Sequence, residues 1–243
     1  MPTNFPNWLH FLSLGSLIAA CGCALIITAD EVRRPQHMWI MNLVWPLTAL
    51  FGSFAWLLFY WYWGRGPDPS KPRASKDDRP STNKGFIASV AKATSHCGAG
   101  CTVGDIIAEW LAFFVPAVAV AFGWGFLFSE KMFAVWILDF LVAFLLGMAF
   151  QYFTIVPMRQ LSFPKGIKAA AKADAASITA WQVGMYGFMA VAQFLWFRRL
   201  YGHIAEVSSP EFWFAMQIAM ICGFFTSYPV NWLLVRHGIK EKM

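Results

Sequence analysis

The stretch His96–Asp105 reads HCGAGCTVGD, and it departs furthest from what an apolar helical chain needs in order to fold. It places an imidazole, two thiols and a carboxylate within ten residues. Glycine adopts backbone conformations that other residues avoid, so Gly98, Gly100 and Gly104 predict a tight turn. The residues that follow are mostly apolar and predict a helix. We therefore expect the rest of the chain to position this turn and its reactive groups.

The composition of the chain indicates the surroundings in which it folds. Of its 243 residues, 58% are hydrophobic and 13% are charged, and the mean hydropathy is +0.50. Soluble domains have roughly 45–50% apolar and about 25% charged residues. We therefore expect an integral membrane protein whose first partner is the lipid bilayer. The net charge of +6 then reflects the bias that orients membrane helices, and we expect no nucleic-acid partner.

Continuous apolar runs predict the architecture. Each run is long enough to cross a hydrocarbon layer of about 30 Å as a helix. Only helices and closed barrels satisfy their backbone hydrogen bonds in lipid, and these runs do not alternate as barrel strands do. We therefore predict an all-α polytopic membrane protein with six transmembrane helices, over residues 8–29, 39–63, 103–128, 132–156, 176–199 and 211–235.

The distribution of Lys and Arg predicts how these helices are threaded. Most basic residues fall in the 64–95 connection, the 157–175 connection and the C-terminal tail. Basic residues are enriched on the cytoplasmic side of a membrane. With six crossings, both termini and the His96–Asp105 turn are expected to be cytoplasmic.

A change in composition predicts a division of the chain. Residues 64–85 are rich in Pro and charge and contain few apolar side chains, which is typical of a flexible linker. This linker separates a two-helix N-terminal membrane part, residues 1–63, from a four-helix membrane domain, residues 86–243. The second part carries the motif.

The motif predicts a metal site at a helix start. Thr102 and Asp105 have the spacing of a capping box, which predicts that the third helix begins at Thr102 with Asp105 as its cap. Cys97 and Cys101 would then lie at a helix N-terminus, where the helix dipole stabilises thiolates. Two thiolates with the imidazole of His96 suit Cu(I) or Zn(II). The alternative is a turn whose cysteines simply pack as small apolar residues.

Two further carboxylates are predicted inside the membrane. Glu109 lies one turn beyond Asp105, where it could support the metal site from outside its ligands. The alternative is that Glu109 only reaches to the membrane surface or pairs with Lys92 or Arg159. Asp139 falls inside the predicted fourth span. Ionisable residues within a membrane usually mark a pathway or a paired site. Asp139 is either functional or the buried hydrogen-bonding partner of Gln182, Gln193 or Gln217.

Sulfur and imidazole groups in the other spans suggest a metal relay. Thioethers bind Cu(I) weakly enough to pass it on. The alternative is that these methionines fill gaps in apolar packing. The possible relay comprises His37, Met38, Met41, Met185, Met189, Met216, Met220 and Cys222. Gly123, Gly125, Gly147 and Gly184 are expected to mark close contacts between helices.

The histidines also allow haem b as an alternative cofactor. Axial ligation requires rings from facing helices. His10, His96 and His237 are predicted near one face, and His37 and His203 near the other. No phosphate-binding loop, zinc-protease motif or serine-hydrolase motif is present in the sequence, so nothing here identifies an enzyme.

Several motifs resemble those of a family of small bacterial inner-membrane proteins classified only as a domain of unknown function. The resemblance implies a multi-pass protein of the bacterial inner membrane. Some members of that family occur beside copper-handling or copper-oxidase genes, and the resemblance therefore favours copper as the metal. The matching segments are 41–48, 96–110, 157–159, 172–174, 182–187, 226–232 and 238–243.

These observations support three hypotheses. The first is a protein that binds Cu(I) at His96, Cys97 and Cys101 for metal transport or delivery. The second is a thiol-redox or haem and quinone electron-transfer protein, in which Cys97 and Cys101 cycle between dithiol and disulfide. The third is a structural subunit of a larger membrane assembly, with further copies or other membrane subunits as partners.

Overall fold

The protein is helical throughout the part of the chain that the structure describes. The computed structural model describes residues 5–36, 38–66 and 83–241, and no strand is formed within them. The predicted relay residue His37 and most of the predicted linker lie outside the described residues. The helices are α1 (Asn7–Arg33), α2 (Met41–Phe59, continued by the π-helical segment Tyr60–Gly64), α3 (Asn83–Phe114), α4 (Pro116–Ala121), α5 (Lys131–Arg159), α6 (Phe163–Ala190, continued by the π-helical segment Val191–Phe197), α7 (Arg198–Tyr201) and α8 (Pro210–Arg236).

Five of these helical segments are long and apolar enough to cross a membrane. The predicted all-helical membrane fold is confirmed at this level. The predicted run 176–199 is not among the five, because polar residues such as Ser177, Gln182 and Gln193 interrupt it. The five candidates are Asn7–Arg33, Met41–Gly64, Gly85–Phe114, Lys131–Pro157 and Pro210–Arg236.

The third helix begins and ends earlier than predicted. α3 runs without a break from Asn83 to Phe114, whereas the predicted span was 103–128. Thr102 is not a cap, because its hydroxyl donates to the Gly98 carbonyl inside the helix at 2.8 Å. The prediction that a helix begins at Thr102 with Asp105 as its cap is therefore wrong. The predicted turn at the membrane face is instead the buried middle of α3.

The glycines of the motif permit close helix packing rather than a turn. A Cβ atom on Gly104 would lie 2.8 Å from the Ala143 Cα on α5. One on Gly100 would lie 2.9 Å from the Gly147 Cα. Gly100 and Gly104 thus face Ala143 and Gly147, with four-residue spacing on both helices. Small residues at this spacing allow two membrane helices to approach backbone to backbone. The expectation of close contacts is confirmed for Gly147 and for Gly184, which faces α8. It is wrong for Gly123 and Gly125, which have φ of 109° and 89° and form a turn after α4.

The segment Met41–Gly64 folds back on itself. Its backbone leaves the helical conformation at Ser53, where φ is 47° and ψ is −129°. The ring of Trp45 lies 5.5 Å from that of Tyr60 between centroids. A Cβ atom on Gly64 would collide with the same indole. Two half-helices therefore lie side by side, and we call this segment the re-entrant hairpin.

Both ends of the re-entrant hairpin lie beside the C-terminal end of α1. Asp30 accepts hydrogen bonds from the Tyr60 hydroxyl at 2.8 Å and from the Arg65 guanidinium at 2.6 Å. The turn of the hairpin reaches into the bundle, where the Leu50 carbonyl accepts from the Gln217 amide at 2.7 Å. This geometry differs from the single straight crossing predicted over 39–63. The local signal for it was Gly52-Ser53 within the apolar run.

Contacts between helix ends define two faces of the bundle. α1 and α8 run parallel, because His10 bonds Glu211 at 2.9 Å and Ser16 bonds Gln217 at 2.7 Å. We call the face that contains the starts of these two helices the amino-terminal face. The opposite face contains the end of α1, both ends of the hairpin and the end of α8, and we call it the basic face.

The remaining long helices alternate between these faces. α3 starts at the basic face, where Phe86 packs on Trp232 with ring centroids 4.7 Å apart. α5 returns to the basic face, where Arg159 donates to the Gly238 carbonyl at 2.9 Å. α6 and its π-helical continuation lead back to the amino-terminal face, where Phe197 packs on Phe5. α3 occupies the middle and packs against α2, α5, α6 and α8.

Replacing Gly104 with alanine tests the close contact between α3 and α5. The added methyl group has no space, and overpacking of this kind costs about 1–3 kcal/mol. We expect Gly104→Ala to lower the thermal midpoint of the purified protein in detergent.

Gly15→Ala is the matched control, because a Cβ atom at Gly15 meets no atom within 4 Å. Alanine is the better helix former, so this variant should be as stable as the parent or slightly more stable. Equal midpoints for the two variants would contradict the packing described here.

Candidate functional site

One face of α3 carries the chemically reactive side chains. Cys97, Cys101 and Asp105 follow one another at four-residue spacing, which places them on one side of a helix on successive turns. All three are at most 1% exposed. They face the interior of the bundle, and both cysteines are free thiols.

A pair of carboxyl groups lies at the centre of this arrangement. Asp105 on α3 and Asp139 on α5 are within interaction distance of each other and are both buried. Asp139 also accepts a hydrogen bond from the Tyr186 hydroxyl at 2.8 Å. Neither oxygen of Asp105 receives a hydrogen bond from any donor in the described residues. The two carboxyl groups therefore have more hydrogen-bond acceptor oxygens than the surrounding donors satisfy.

Three glutamines were predicted as alternative hydrogen-bonding partners of Asp139, and their contacts distinguish between them. Gln182 on α6 interacts with Asp139. Gln193 is bonded to the backbone of Ala205, and Gln217 is bonded to Ser16 and to the Leu50 carbonyl. Of the three predicted glutamines, Gln182 is therefore the one that contacts this aspartate.

A buried ion pair lies near the basic face. The Lys240 ammonium group is 3.5 Å from the Asp174 carboxylate, and the two side chains are 0% and 1% exposed. Lys240 also donates to the Ser177 hydroxyl at 3.2 Å. Asp174 in turn interacts with the Cys97 thiol. The C-terminal segment thus places a cation at one end of the row on α3.

These groups form a continuous row that we call the polar column. Cys97 and Cys101 interact with each other and connect the pair at the basic face to the pair at the centre. From Cys97 to Glu109 the column rises about 18 Å, at 1.5 Å per residue. In order from the basic face, its members are Lys240, Asp174, Cys97, Cys101, Asp105, Asp139 and Glu109.

The charge balance of the polar column is strongly acidic. Four carboxyl groups share one ammonium group among its members. An isolated charge transferred into a low-dielectric interior costs several kcal/mol. The carboxyl groups therefore need protons or a bound cation to remain buried. Two adjacent carboxyl groups cannot both be ionised cheaply, whereas a single proton between them makes a hydrogen bond.

The predicted metal ligands do not converge as a set of three. His96 is on α3 beside Cys97 but points away from the thiols, because its Nε2 atom is 3.0 Å from the Thr154 hydroxyl on α5. Its Nδ1 atom has no hydrogen-bond partner among the residues that the structure describes. Within residues 5–36, 38–66 and 83–241, no group of three or more His, Cys, Asp or Glu side chains is arranged to hold a metal ion. Cys97 and Cys101 remain together as a pair.

The predicted relay residues fall into separate places. Met185 and Met189 are buried in the core, as are Met216 and Met220, and Cys222 is half-buried on α8. Met38 and Met41 instead pack in the cluster around Trp45 in the hairpin, near the basic face. The contacts of the described residues therefore do not join all of these side chains into one line.

A cavity beside the polar column had no counterpart in the sequence analysis. It has a volume of about 240 Å³ and lies between α1, the turn of the hairpin, α3 and α8. Asp105 is the one ionisable carboxyl group in its wall, and Met216 and Met220 line it on α8. Its other lining residues are Leu17, Ala20, Cys21, Leu50, Phe51, Thr102, Ile106, Trp110, Trp213 and Gln217.

The comparisons with known proteins address the family of the chain. Residues 88–240 match the family described as a domain of unknown function (DUF4396). This segment contains α3 from its first turns, α5, α6 and α8, and so every member of the polar column. No curated protein and no solved structure matches the chain. Because the match covers more than half of its length, the chain belongs to the DUF4396 family of unknown function.

Proposed function

We propose that this protein moves protons through a membrane along the polar column, as part of the transport of a cation. The observation that carries the proposal is the pair Asp105 and Asp139, buried on facing helices and interacting directly. Chains of ionisable side chains inside a helical bundle are typical of proton relays in pumps and transporters. A simple packing role does not account for two buried carboxyl groups that lie against each other.

The path between the two faces follows the contacts of the column. At the basic face, Asp174 and Lys240 can exchange a proton with the water outside through a small movement of the C-terminal segment. Cys97 and Cys101 join this ion pair to the central carboxyl pair. Glu109 then continues the path towards the amino-terminal face.

The re-entrant hairpin supports a transport function independently. Backbone that is not helical occurs at membrane depth only where protein or a cavity surrounds it. Broken helices that meet near the middle of the membrane are a recurring element of transporters, and they lie beside the binding site. Here Leu50 and Phe51, directly before the break at Ser53, contribute to the cavity wall next to Asp105.

The same geometry leads to a revised membrane threading. We propose five crossings, made by α1, α3, α5, α6 with its π-helical continuation, and α8, with α2 as a hairpin that enters and leaves at one face. In the described residues, only Lys131, Arg198 and Arg199 among the Lys and Arg side chains lie towards the amino-terminal face. The basic face is then cytoplasmic, in the inner membrane of a bacterium, and the N-terminus is on the opposite side.

Labelling with a membrane-impermeant thiol reagent in intact cells tests this threading. Pro35 and Lys165 are exposed and lie at the basic face, whereas Glu206 is exposed at the opposite face. We expect Glu206→Cys to react above the background of the parent chain, and Pro35→Cys and Lys165→Cys to react only after the cells are opened. Six straight crossings would place Pro35 outside, so reaction of Pro35→Cys in intact cells would contradict the hairpin.

Proton uptake by reconstituted vesicles tests the proposed function. Vesicles loaded with potassium and given valinomycin develop an inside-negative potential, and an internal pH dye reports proton entry. We expect the wild-type protein to admit protons and Asp139→Asn to reduce the rate at least tenfold, because an amide cannot accept and release a proton.

Glu31→Gln provides the matched control. Glu31 is a buried carboxyl group on α1, outside the polar column, and accepts a hydrogen bond from Gln36. Its replacement should leave the rate unchanged. The proposal would be overturned if vesicles with the wild-type protein took up protons no faster than empty vesicles. Equal rates of proton uptake for Asp139→Asn and the wild type would also overturn it.

A second candidate function is binding of Cu(I) for transport or delivery. The specific observation in its favour is the contact between Cys97 and Cys101, two soft donors inside the bundle. Thiolates select Cu(I), and two of them are enough for a linear Cu(I) site. His96 would not be a ligand in this version of the site, because its ring is held by Thr154 on α5.

Metal analysis under reducing conditions tests the copper candidate. We expect one Cu(I) per chain after incubation with a buffered Cu(I) source, lost in Cys97→Ser/Cys101→Ser and retained in His96→Asn. Cys21→Ser/Cys23→Ser is the control pair, because these cysteines lie on α1 and are not members of the column. Absence of copper from the wild-type protein would remove this candidate and leave the proton proposal unaffected.

A further inference from the structure

We propose that the pocket around the Lys240 ammonium group is a binding site for a free ammonium ion, which the chain's own lysine occupies in this structure. This inference rests on the proposed function, because it names the cation whose transport accompanies proton movement along the polar column. A cationic group is already seated in the pocket, so the geometry of the site can be read around its nitrogen atom.

The pocket offers two oxygen acceptors to this nitrogen atom. The Nζ atom of Lys240 donates to the Ser177 hydroxyl at 3.2 Å and to one carboxylate oxygen of Asp174 at 3.5 Å. All three residues are at most 1% exposed. Gly147 on α5 makes room for the carboxylate, because a Cβ atom there would collide with its second oxygen. The site therefore combines one negative charge with one neutral acceptor inside the bundle.

These acceptors are held in place without help from Lys240. The Ser177 hydroxyl donates its own proton to the Asn231 side-chain oxygen at 2.7 Å, so its lone pairs remain free for a cation. The Asn231 amide donates to the Ser227 hydroxyl at 2.8 Å, and that hydroxyl donates to the Ser177 carbonyl at 2.9 Å. Asp174 lies on the same side of α6, about one turn before Ser177. Because this network joins α6 to α8, the pocket keeps its shape when the lysine leaves it.

The segment that carries Lys240 is held from the outside of the bundle. It follows α8, and the backbone N–H group of Lys240 donates to the Leu234 carbonyl at 3.1 Å. Arg159 on α5 donates to the Gly238 carbonyl and forms an ion pair with Glu241. Both partners of this ion pair are partly exposed, and such pairs contribute little to stability. The lysine can therefore leave the pocket with its segment while the helices stay in place.

Charge balance determines what replaces the lysine. An unpaired carboxylate is costly in the interior, so Asp174 requires a proton or another cation when Lys240 leaves. A metal ion in place of the nitrogen would need a shell of several oxygen ligands. Two side-chain oxygens of the described residues bond to the nitrogen, which suits the directional N–H donors of an ammonium group. A free ammonium ion has the charge and the donors of the lysine head group, and it fits the space that the lysine vacates.

The pocket connects directly to the proposed proton path. Asp174 is a member of the polar column and interacts with the Cys97 thiol. Ammonium bound in the pocket neutralises the same carboxylate that a proton neutralises. The two cations therefore compete for Asp174, and this competition couples ammonium movement to proton movement.

Thermal unfolding of Lys240→Ala in lipid nanodiscs tests the inference, with ammonium chloride as the probe. This variant leaves Asp174 without its cationic partner and leaves space for the ion. We expect its unfolding midpoint to fall below that of the wild type, and ammonium chloride to restore at least half of the loss. Sodium chloride and tetramethylammonium chloride at the same concentration should restore none of it, because neither cation has an N–H donor.

Two variants are matched controls for this experiment. Lys240→Met fills the same space with a side chain of similar length and no charge, so it leaves no vacancy for the ion. Lys240→Ala/Asp174→Asn keeps the vacancy and removes the carboxylate. We expect each control to have equal midpoints in ammonium chloride and sodium chloride. An ammonium response in either control, or no response in Lys240→Ala, would overturn the inference.

Proteolysis of the wild-type chain gives a second test that does not depend on the folding of a variant. Lysyl endopeptidase can cleave after Lys240 only when the segment has left the pocket, whereas Lys165 is exposed at the same face. A tethered group has a high effective concentration, so the ammonium ion is supplied in large excess. We expect ammonium chloride to speed cleavage after Lys240 at least threefold relative to sodium chloride, with cleavage after Lys165 unchanged. Equal rates of cleavage after Lys240 in the two salts would contradict exchange of the lysine with ammonium and overturn the inference.

These outcomes are independent of the measurement of proton uptake. The expected ammonium effects in a protein whose vesicles take up no protons would remove the proposed function and leave the ammonium site. Proton uptake without the ammonium effects would remove this inference alone.

Discussion

The backbone contact between α3 and α5 is the constraint on which the rest of the structure depends. Gly100 and Gly104 lie directly against Gly147 and Ala143, so no side chain separates the two helices. This approach brings Asp105 and Asp139 into contact. A larger residue at any of these four positions would separate the carboxyl groups as well as the helices. The packing of the bundle and the chemistry of the column therefore have a common origin in small residues.

The hairpin and the polar column are complementary parts of one site. The hairpin packs beside α3, and its turn contributes to the wall of the cavity that Asp105 also lines. The opposite side of α3 is occupied by α5 and α6, which supply Asp139, Gln182 and Tyr186. A proton shared between Asp105 and Asp139 would neutralise the pair inside the bundle.

Some features of the fold and of the candidate site could be predicted from the sequence, and others could not. The composition predicted a helical membrane protein. Because a charge is costly in lipid, the sequence also indicated that Asp139 is buried within the protein and does not face the lipid. The glycine-rich motif was misread as a turn, because glycine serves equally for turns and for close helix contacts, and only the facing residues on α5 distinguish the two. The hairpin was missed because its two halves together have the length and hydropathy of one crossing. The cavity depends on four elements distant in sequence, and no local pattern reports it.

The most direct test of the central claim is the infrared spectrum of the carboxyl groups in the reconstituted protein. A protonated carboxyl group has a carbonyl stretching band that shifts in heavy water, whereas a carboxylate has none in that region. The account predicts such a band at neutral pH in the wild-type protein and in Glu31→Gln, and a loss or shift of it in Asp105→Asn and in Asp139→Asn. An identical spectrum for the wild type and both aspartate variants would show that the pair does not hold a proton, and would contradict the role proposed for the polar column.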